Sequence, residues 1–323
     1  MKGDDIHMNQ QKPKILRDFL VYLSAIKGKS KRTRDEYDYD LTLFMKFMRA
    51  IQEDLNIDEL ETINIYDINA EFFKEISLED MYLFLEYCEE RRNNAANTRA
   101  RKVATLKSFF KYLRSKRHII EENPAEDLET PKVSKRQPIY LSFDEAKTFM
   151  TGIRTKTHHD RDYCMMTFFL NLGIRVSELC NLNLDSIQER FITVRGKGDK
   201  ERTVYLNDAC VKALKTYLED ERPHIKDADK NPALFLSQKG TRLTRQRVAK
   251  IVKQINHSSG LDKKKLSPHK LRHTSATMMY KSGADIRSLQ QILGHSNVST
   301  TQIYTHVEDK EIQQVIENNP FNI

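Results

Sequence analysis

Apolar residues recur every three or four positions in three stretches near the start of the chain, a spacing that places them on one face of a helix. The three stripes run through residues 37–48, 81–88 and 103–113. Each stripe follows a residue suited to cap a helix: Ser30 or Thr33, then Ser77, then Asn97 or Thr98. Such stripes pack a core, so this region is predicted to form a small helical bundle.

The chain from residue 138 is predicted to form a second, mostly helical domain. Ser142 is followed three residues later by Glu145, which is the capping-box pattern of a helix start. Helical spacing continues to about residue 182 and returns from Asp208 onward.

A short alternating stretch interrupts the helical spacing of this second region. Apolar and polar residues alternate in 191–195, and a second β-rich run covers 202–206, with a glycine-bearing turn between them. This pattern predicts a β-hairpin, and 182–187 is a candidate third strand. The predicted fold is therefore mainly α: an N-terminal helical-bundle domain plus a mostly helical C-terminal domain with a small antiparallel β-sheet.

Prolines mark the boundary between the two domains. Pro124, Pro131 and Pro138 interrupt a charged segment, and proline cannot continue a helix. We therefore assign residues 11–117 to the first domain, 118–137 to an extended linker and 138–323 to the second domain.

Composition narrows the class of protein. The 323 residues are 39% hydrophobic and 31% charged, which suits folded domains, and the formal net charge of +8 fits a polyanionic partner.

The four cysteines are too far apart for a zinc or redox motif, so buried thiols in a reducing compartment are expected. No apolar stretch approaches the roughly 20 residues of a membrane span, and the first ten residues are polar. We expect a soluble cytoplasmic protein without membrane association.

Charge is divided sharply within the first domain. Residues 91–117 contain ten basic side chains and no acidic one, whereas 52–90 contain thirteen acidic side chains and one lysine. Ten like charges without relief repel one another, unless DNA phosphates neutralise them. Opposite the apolar stripe of the last helix, the candidates for DNA contact are Arg99, Lys107, Lys111 and Arg114. A solvated charged face is the alternative.

The second domain carries residues suited to cutting DNA without a metal. That chemistry needs a nucleophile, cations around the phosphate and a proton for the leaving 5′ oxygen. Arginine presents a planar fork that matches phosphate oxygens, and histidine moves protons near neutral pH. A tyrosine hydroxyl, with an ordinary pKa of about 10, ionises more easily near such cations. The chain supplies each type in separate short blocks: Arg175 and Arg272, Lys197, His269 and His295, and Tyr304.

The order of these blocks resembles the tyrosine recombinases, also called phage integrases. The stretches at 173–179, 268–274 and 293–306 read Gly-Ile-Arg-Val-Ser-Glu-Leu, Pro-His-Lys-Leu-Arg-His-Thr and Leu-Gly-His-Ser-Asn-Val-Ser-Thr-Thr-Gln-Ile-Tyr-Thr-His. They are especially similar to the bacterial Xer recombinases and their relatives on mobile elements. The resemblance covers nearly the whole chain, because those proteins also begin with a helical DNA-clamping domain.

The resemblance implies a role for each matching residue. Arg175 and Arg272 bind the scissile phosphate, and Lys197 protonates the leaving oxygen, with Lys200 near enough to compete for that role. The remaining members are His269 and His295, which assist, Glu178, which supports the site, and Tyr304, which is the nucleophile.

The resemblance also implies partners and an assembly. It implies a C-shaped clamp on double-stranded DNA target sites, a homotetramer on DNA with a paralogous recombinase as an alternative partner, a 3′-phosphotyrosyl intermediate and a Holliday junction. Neither ATP nor a metal is implied as a cofactor. Residues 308–319 are predicted to form a short helix, which docks on a neighbouring subunit in relatives; packing on its own domain is the alternative.

Three other functions remain open at this point. A type IB topoisomerase has a similar site and would relax supercoiled DNA. A metal-dependent nuclease would use His269 and His273, although position 270 is lysine where the metalloprotease pattern has glutamate. A DNA-binding protein without catalysis would form no covalent complex. The sequence also leaves chromosome dimer resolution and mobile-element integration unseparated.

Overall fold

The structure is a computed structural model that describes residues 12–133, 139–154, 157–196 and 201–294. The chain divides into two units, Met1–Lys135 and Arg136–Ile323. Within the described ranges, no helix is long and apolar enough to cross a bilayer.

Helices form the first unit, as the apolar stripes predict. Its α-helices are α1 (Lys14–Ala25), α2 (Lys31–Gln52), α3 (Leu78–Glu90) and α4 (Ala96–Ser115). Two short 3₁₀ helices, Ile57–Thr62 and Glu71–Phe73, lie between α2 and α3. Aromatic rings meet edge to face at the centre of the core: Phe19, Phe44, Phe73, Phe84, Phe109 and Phe110. Burial of these large rings, together with the aliphatic residues around them, stabilises the bundle.

Two of the three predicted helix caps agree with the structure. The Ser30 hydroxyl accepts a hydrogen bond from the Thr33 amide, and Ser77 forms a full capping box with Asp80. The predicted cap at Asn97 or Thr98 is wrong, because the helix begins two or three residues earlier, with Ala95 at the N-cap position. Ala95 has no side-chain oxygen, so the first amides of α4 lack a side-chain cap.

The segment predicted as a linker contributes to the first core. Ile120, Ala125 and Leu128 are buried together with the bundle residues. The prolines do exclude a helix here, but apolar residues between them pack against the bundle instead of remaining extended in solvent. The first unit therefore reaches well beyond residue 117.

The second unit is also mostly helical. Its α-helices are α5 (Phe143–Thr151), α6 (His159–Leu172), α7 (Val176–Asn181), α8 (Asp208–Thr216), α9 (Arg245–Ser258), α10 (Pro268–Lys281) and α11 (Ile286–Leu293). The capping box between Ser142 and Glu145 starts α5 as predicted. Helix α6 is buried around much of its surface, and α8 and α10 both pack against it.

A three-stranded antiparallel sheet accompanies these helices. Its strands are β1 (Ile187–Gln188), β2 (Phe191–Arg195) and β3 (Glu201–Tyr205), in that order. Val194 pairs with Arg202 across the predicted hairpin. The third strand is shorter than the predicted stretch 182–187, because a 3₁₀ turn occupies Leu184–Ser186 and pairing begins only at Ile187.

All four cysteines are buried and unpaired. Burial raises the pKa of Cys88 and Cys180 to about 11 and that of Cys210 to about 12. It also raises the pKa of Cys164. These thiols pack as small apolar residues, as the sequence predicts.

Candidate functional site

Four of the seven residues predicted for the recombinase site lie in the described part of the second unit. They are Arg175, Glu178, His269 and Arg272. Lys197, His295 and Tyr304 lie outside the described residues. The geometry below therefore concerns the arginines, the glutamate and the first histidine.

Two helix ends place the backbone of the site. Gly173 ends α6 with φ +59°, and Gly294 ends α11 with φ +63°. Side chains are strained in this left-handed region, and space is also short. A Cβ at Gly173 would lie 2.8 Å from Leu293 Cδ2, and one at Gly294 would lie 2.9 Å from Arg202 Nη1. Both turns therefore require glycine.

Glu178 is the centre of the site. Its carboxylate is buried and accepts hydrogen bonds from two arginines. Arg175 donates its backbone N–H to Oε2 at 2.8 Å and its Nη1 to Oε1 at 2.7 Å. Arg202 donates from Nη1 to Oε1 at 2.9 Å and from Nη2 to Oε2 at 2.8 Å. This bidentate geometry is the strongest that a guanidinium and a carboxylate form.

Backbone carbonyls accept further hydrogen bonds from the predicted catalytic arginines. Arg175 Nη2 donates to the carbonyl of Gly294 at 3.0 Å. Arg272 donates to the carbonyls of Gly173 at 2.7 Å and Leu293 at 2.6 Å. Arg272 Nη1 also lies 3.8 Å from Glu178 Oε2. The two glycine turns thus position both arginines, and they bring residues from α7, α10 and the end of α11 together.

The electrostatics of the cluster favour an anion. Burial alone raises the pKa of Glu178, but hydrogen bonds from Arg202 and Arg175 outweigh burial and lower it to about 2. Glu178 is therefore ionised at neutral pH and carries one negative charge among three guanidinium groups. The excess positive charge lies beside Arg175, whose side chain is 35% exposed.

The histidines of α10 are neutral at physiological pH. Burial, and then the charges of Arg272 and Arg175, lower the pKa of His269. Burial and the neighbouring His269 lower the pKa of His273 to about 4. His273 also packs edge to face with Tyr140 at 6.4 Å between ring centroids. Among the residues that the structure describes, no group of three or more His, Cys, Asp or Glu side chains could hold a metal ion.

Arg202 is part of the cluster, although the sequence analysis did not assign it to the site. It lies on β3, in a strand otherwise typical of a solvated hairpin, and its partner Glu178 is 24 positions away. The alternation of side chains along the strand was the sequence signal that could have indicated an inward-facing Arg202. Arg202 pairs with the buried Val194, so it projects toward the side of the sheet that faces the core.

In the first unit, the four basic residues predicted to contact DNA differ in their environments. Arg99 pairs with Glu89, and Arg114 pairs with Glu126 at 3.1 Å. Lys107 donates to the carbonyl of Glu126 at 3.0 Å. Lys111 is exposed.

The premise that no acidic side chains neutralise the ten basic residues is wrong. At least six of them form ion pairs with carboxylates: Arg91 with Asp58, Arg99 with Glu89, Arg101 and Lys102 with Asp40, Arg114 with Glu126, and Arg117 with Asp18. These partners lie outside the basic run in sequence, and folding brings them to it. DNA contact by α4 stays a prediction.

Sequence comparisons identify similar proteins along nearly the whole chain. The model of the phage integrase family matches residues 140–311. A tyrosine recombinase XerC from Caldanaerobacter subterraneus subsp. tengcongensis is 46% identical over 315 residues, which cover 96% of this chain and 88% of that protein. A tyrosine recombinase XerD from Listeria monocytogenes is 34% identical over 305 residues, which cover 93% of this chain and 96% of that protein.

A comparison of structures finds the same fold. The XerH site-specific recombinase, in a pre-cleavage complex bound to its difH substrate, superposes with a TM-score of 0.66. The match covers 94% of this chain and 83% of that chain at 23% identity.

Proposed function

The chain belongs to the phage integrase family and is a Xer-like tyrosine recombinase, and we propose that it cuts and rejoins DNA through a covalent bond between Tyr304 and a 3′ phosphate. In this step the Tyr304 hydroxyl oxygen attacks the phosphorus and the bond to the 5′ oxygen breaks. The leaving 5′ oxygen takes up a proton. Attack by the 5′ hydroxyl of another strand reverses the step and joins the exchanged strands.

Arg175 and Arg272 form the phosphate-binding part of this proposal. The observation that carries it is the convergence of these arginines around one buried, ionised Glu178, with positive charge in excess. Positively charged donors held in place before the reaction stabilise the charge that develops on a phosphate in the transition state. Glu178 supports the site by holding Arg175.

Proton transfer is assigned to lysine and histidine side chains. A neutral imidazole can accept a proton, and the lowered pKa of His269 keeps it neutral near pH 7. His269 is therefore suited to assist the loss of the Tyr304 proton. Lys197 would protonate the leaving oxygen, with Lys200 as the alternative, and His295 would donate a hydrogen bond to the phosphate.

DNA is the partner, and we propose a tetramer on it in the cytoplasm. The recombinase would bind double-stranded target sites as a homotetramer, or together with a paralogous recombinase, and would pass through a Holliday junction. The similarity to proteins named XerC and XerD favours chromosome dimer resolution, with mobile-element integration or excision as the alternative. Genes of a mobile element beside this gene would favour the alternative.

The assignment of the nucleophile has a direct test. Tyr304→Phe keeps the ring and removes only the hydroxyl, so it should bind DNA but form no covalent complex on a nicked suicide substrate. Tyr66→Phe is the matched control, since Tyr66 is an exposed tyrosine of the first unit and should cleave normally. A normal yield of protein–DNA adduct from Tyr304→Phe would refute the assignment.

A further inference from the structure

Arg202 uses all three of its nitrogen atoms within the cluster. Besides the two bonds to Glu178, its Nε donates to the carbonyl of Ile292 at 2.9 Å. Its side chain is only 15% exposed, and its guanidinium lies in the space left by the missing side chain of Gly294. One side chain therefore connects β3, the carboxylate of α7 and the end of α11.

The first consequence concerns charge. Glu178 has two oxygens, and Arg202 donates to both of them. Without Arg202, the two oxygens of Glu178 would attract Arg175 and Arg272 more strongly. The positive charge of these two arginines would then be neutralised within the protein and would no longer be available to an anion. Arg202 thus supplies the compensating charge for Glu178 and leaves the other two guanidinium groups able to bind an anion.

The second consequence concerns the hairpin. Arg202 follows Glu201 at the start of β3, directly after residues 197–200, which include both candidate lysines. The bonds of Arg202 hold this end of the strand against the arginine cluster. A planar guanidinium that makes three fixed bonds restricts both the position and the orientation of the strand.

From these contacts we propose that Arg202 is a positioning residue of the recombinase: it acts through Glu178 and the Ile292 carbonyl to keep the catalytic arginines and the start of β3 in register. The proposal rests on the proposed function. Arg202 itself does not contact the DNA phosphate.

The main test compares Arg202→Gln with Arg190→Gln. Arg190 is the matched control because it also lies in the hairpin region and pairs with a carboxylate, that of Asp208, but on the exposed side. Single-turnover cleavage of a suicide substrate at saturating protein should fall about 10- to 100-fold in Arg202→Gln, since small misplacements of reacting groups have effects of this size. Arg190→Gln should cleave at the wild-type rate, and both variants should bind DNA with wild-type affinity.

A double-mutant cycle tests whether Arg202 acts through Glu178. The rate of Glu178→Gln is compared with that of Glu178→Gln/Arg202→Gln. If Glu178 transmits most of the effect, the second substitution should lower the rate much less than it does alone. Two effects that multiply fully would overturn the proposed route through Glu178.

Arg202→Lys provides a second variant for the same test in case Arg202→Gln does not fold. A lysine retains the charge, but its ammonium cannot span both carboxylate oxygens and the Ile292 carbonyl. We expect a folded protein whose cleavage rate lies between those of wild type and Arg202→Gln. A wild-type rate in a folded Arg202→Lys or Arg202→Gln variant would overturn the proposal.

Covalent adduct formation by the wild-type protein distinguishes a failure of this inference from a failure of the proposed function. If wild-type protein forms no covalent adduct with its substrate, the proposed function fails. If the wild type forms adducts and folded Arg202 variants do so equally fast, only the role of Arg202 fails.

Discussion

Each unit of the protein contains a buried carboxylate that contacts several basic side chains, Asp40 in the first and Glu178 in the second, but the two clusters differ in their balance of charge. In the first unit, Asp40 pairs with Arg101 and with Lys102 at 2.8 Å, and Thr105 donates to it at 3.1 Å. In the second unit, Glu178 lies among three arginines. Exposure does not distinguish them, because one arginine in each cluster is about one-third exposed, 32% for Arg101 and 35% for Arg175.

The difference lies in what surrounds the cations. The ammonium of Lys102 lies over the rings of Tyr39 at 5.3 Å and Phe84 at 5.8 Å, so aromatic faces share its charge. Around Glu178, further donors of Arg175 and Arg272 bind uncharged backbone carbonyls. A buried ion pair is therefore no sign of function by itself, whereas a carboxylate outnumbered three to one by guanidinium groups, one of them accessible, indicates an anion site.

The largest expected effect is a loss of stability on disruption of the Asp40 cluster, which would show that this cluster has a structural role. Asp40→Asn leaves Lys102 buried without a carboxylate, which should lower the free energy of unfolding by about 3–5 kcal/mol. Adding Lys102→Met removes the unpaired charge and should recover much of that loss. Urea unfolding of the three proteins measures this, and a double variant no more stable than Asp40→Asn would contradict the explanation.

The matched arginines of the two clusters should separate catalysis from stability. Arg175→Gln removes a proposed phosphate ligand and should slow DNA cleavage on the order of 10²–10³-fold. Arg101→Gln has a similar exposure and also loses a bond to a buried carboxylate, yet it should cleave at the wild-type rate once folded. Equal losses of cleavage rate in the two variants would remove the distinction between the clusters.

Acid should destabilise the second unit through His273. Its folded pKa of about 4 lies below the ordinary value of 6.5, so the unfolded chain binds more protons between these two pH values. Stability is therefore complete above pH 6.5 and is lost as the pH falls toward 4, by up to about 3 kcal/mol. His273→Gln should show a weaker pH dependence of urea unfolding. The exposed His257→Gln should behave like wild type, and a wild-type pH dependence in His273→Gln would assign the acid sensitivity to another group.

A smaller effect concerns the basic face of α4. Each phosphate contact adds roughly −0.9 to the slope of log affinity against log salt concentration, so Lys107→Gln/Lys111→Gln should make the slope shallower by up to about two units. The bond of Lys107 to the Glu126 carbonyl favours a change nearer one unit. Lys74→Gln, in the acidic segment, should leave the slope unchanged. The measurement is a salt titration on target and scrambled DNA, and an unchanged slope in the double variant would leave this face as solvated surface.

The smallest expected effect is that of a metal chelator, which should leave the cleavage rate unchanged. Arginines and a lysine supply the positive charge in the proposed reaction, so cleavage should proceed at its normal rate in excess EDTA. Covalent trapping with and without the chelator measures this. Loss of activity that magnesium or zinc restores would favour a metal-dependent nuclease.

Local patterns were sufficient to predict most of the elements. Apolar spacing predicted α2, α3 and α4 of the first unit and the mostly helical character of the second, but not α1. Ser142 with Glu145 predicted the start of α5 because a capping box involves residues only three apart. The predicted cap of α4 failed since Asn97 and Thr98 are good caps by residue type, yet the helix extends past them to Ala96. Residue type alone therefore does not determine where a helix begins.

Long-range pairings could not be predicted from the sequence. The run 91–117 contains no acidic residue, so its neutralisation by Asp40 and Glu126 depends on the fold. Arg202 was missed for the same reason, because its bonds reach back to Glu178 and forward to Ile292. Arg175, His269 and Arg272 were found through family motifs, which already encode such distant contacts.

The buried thiols determine how this protein can be labelled for fluorescence. Maleimide dyes react with the thiolate, and a pKa of about 11, as for Cys88 and Cys180, leaves only on the order of one thiol in 10⁴ ionised at pH 7. An exposed cysteine with an ordinary pKa of about 8.5 is ionised to a few per cent at that pH. A single Lys111→Cys substitution should therefore take up dye selectively in the otherwise native chain. Its emission would then report whether α4 approaches DNA, without removal of any natural cysteine.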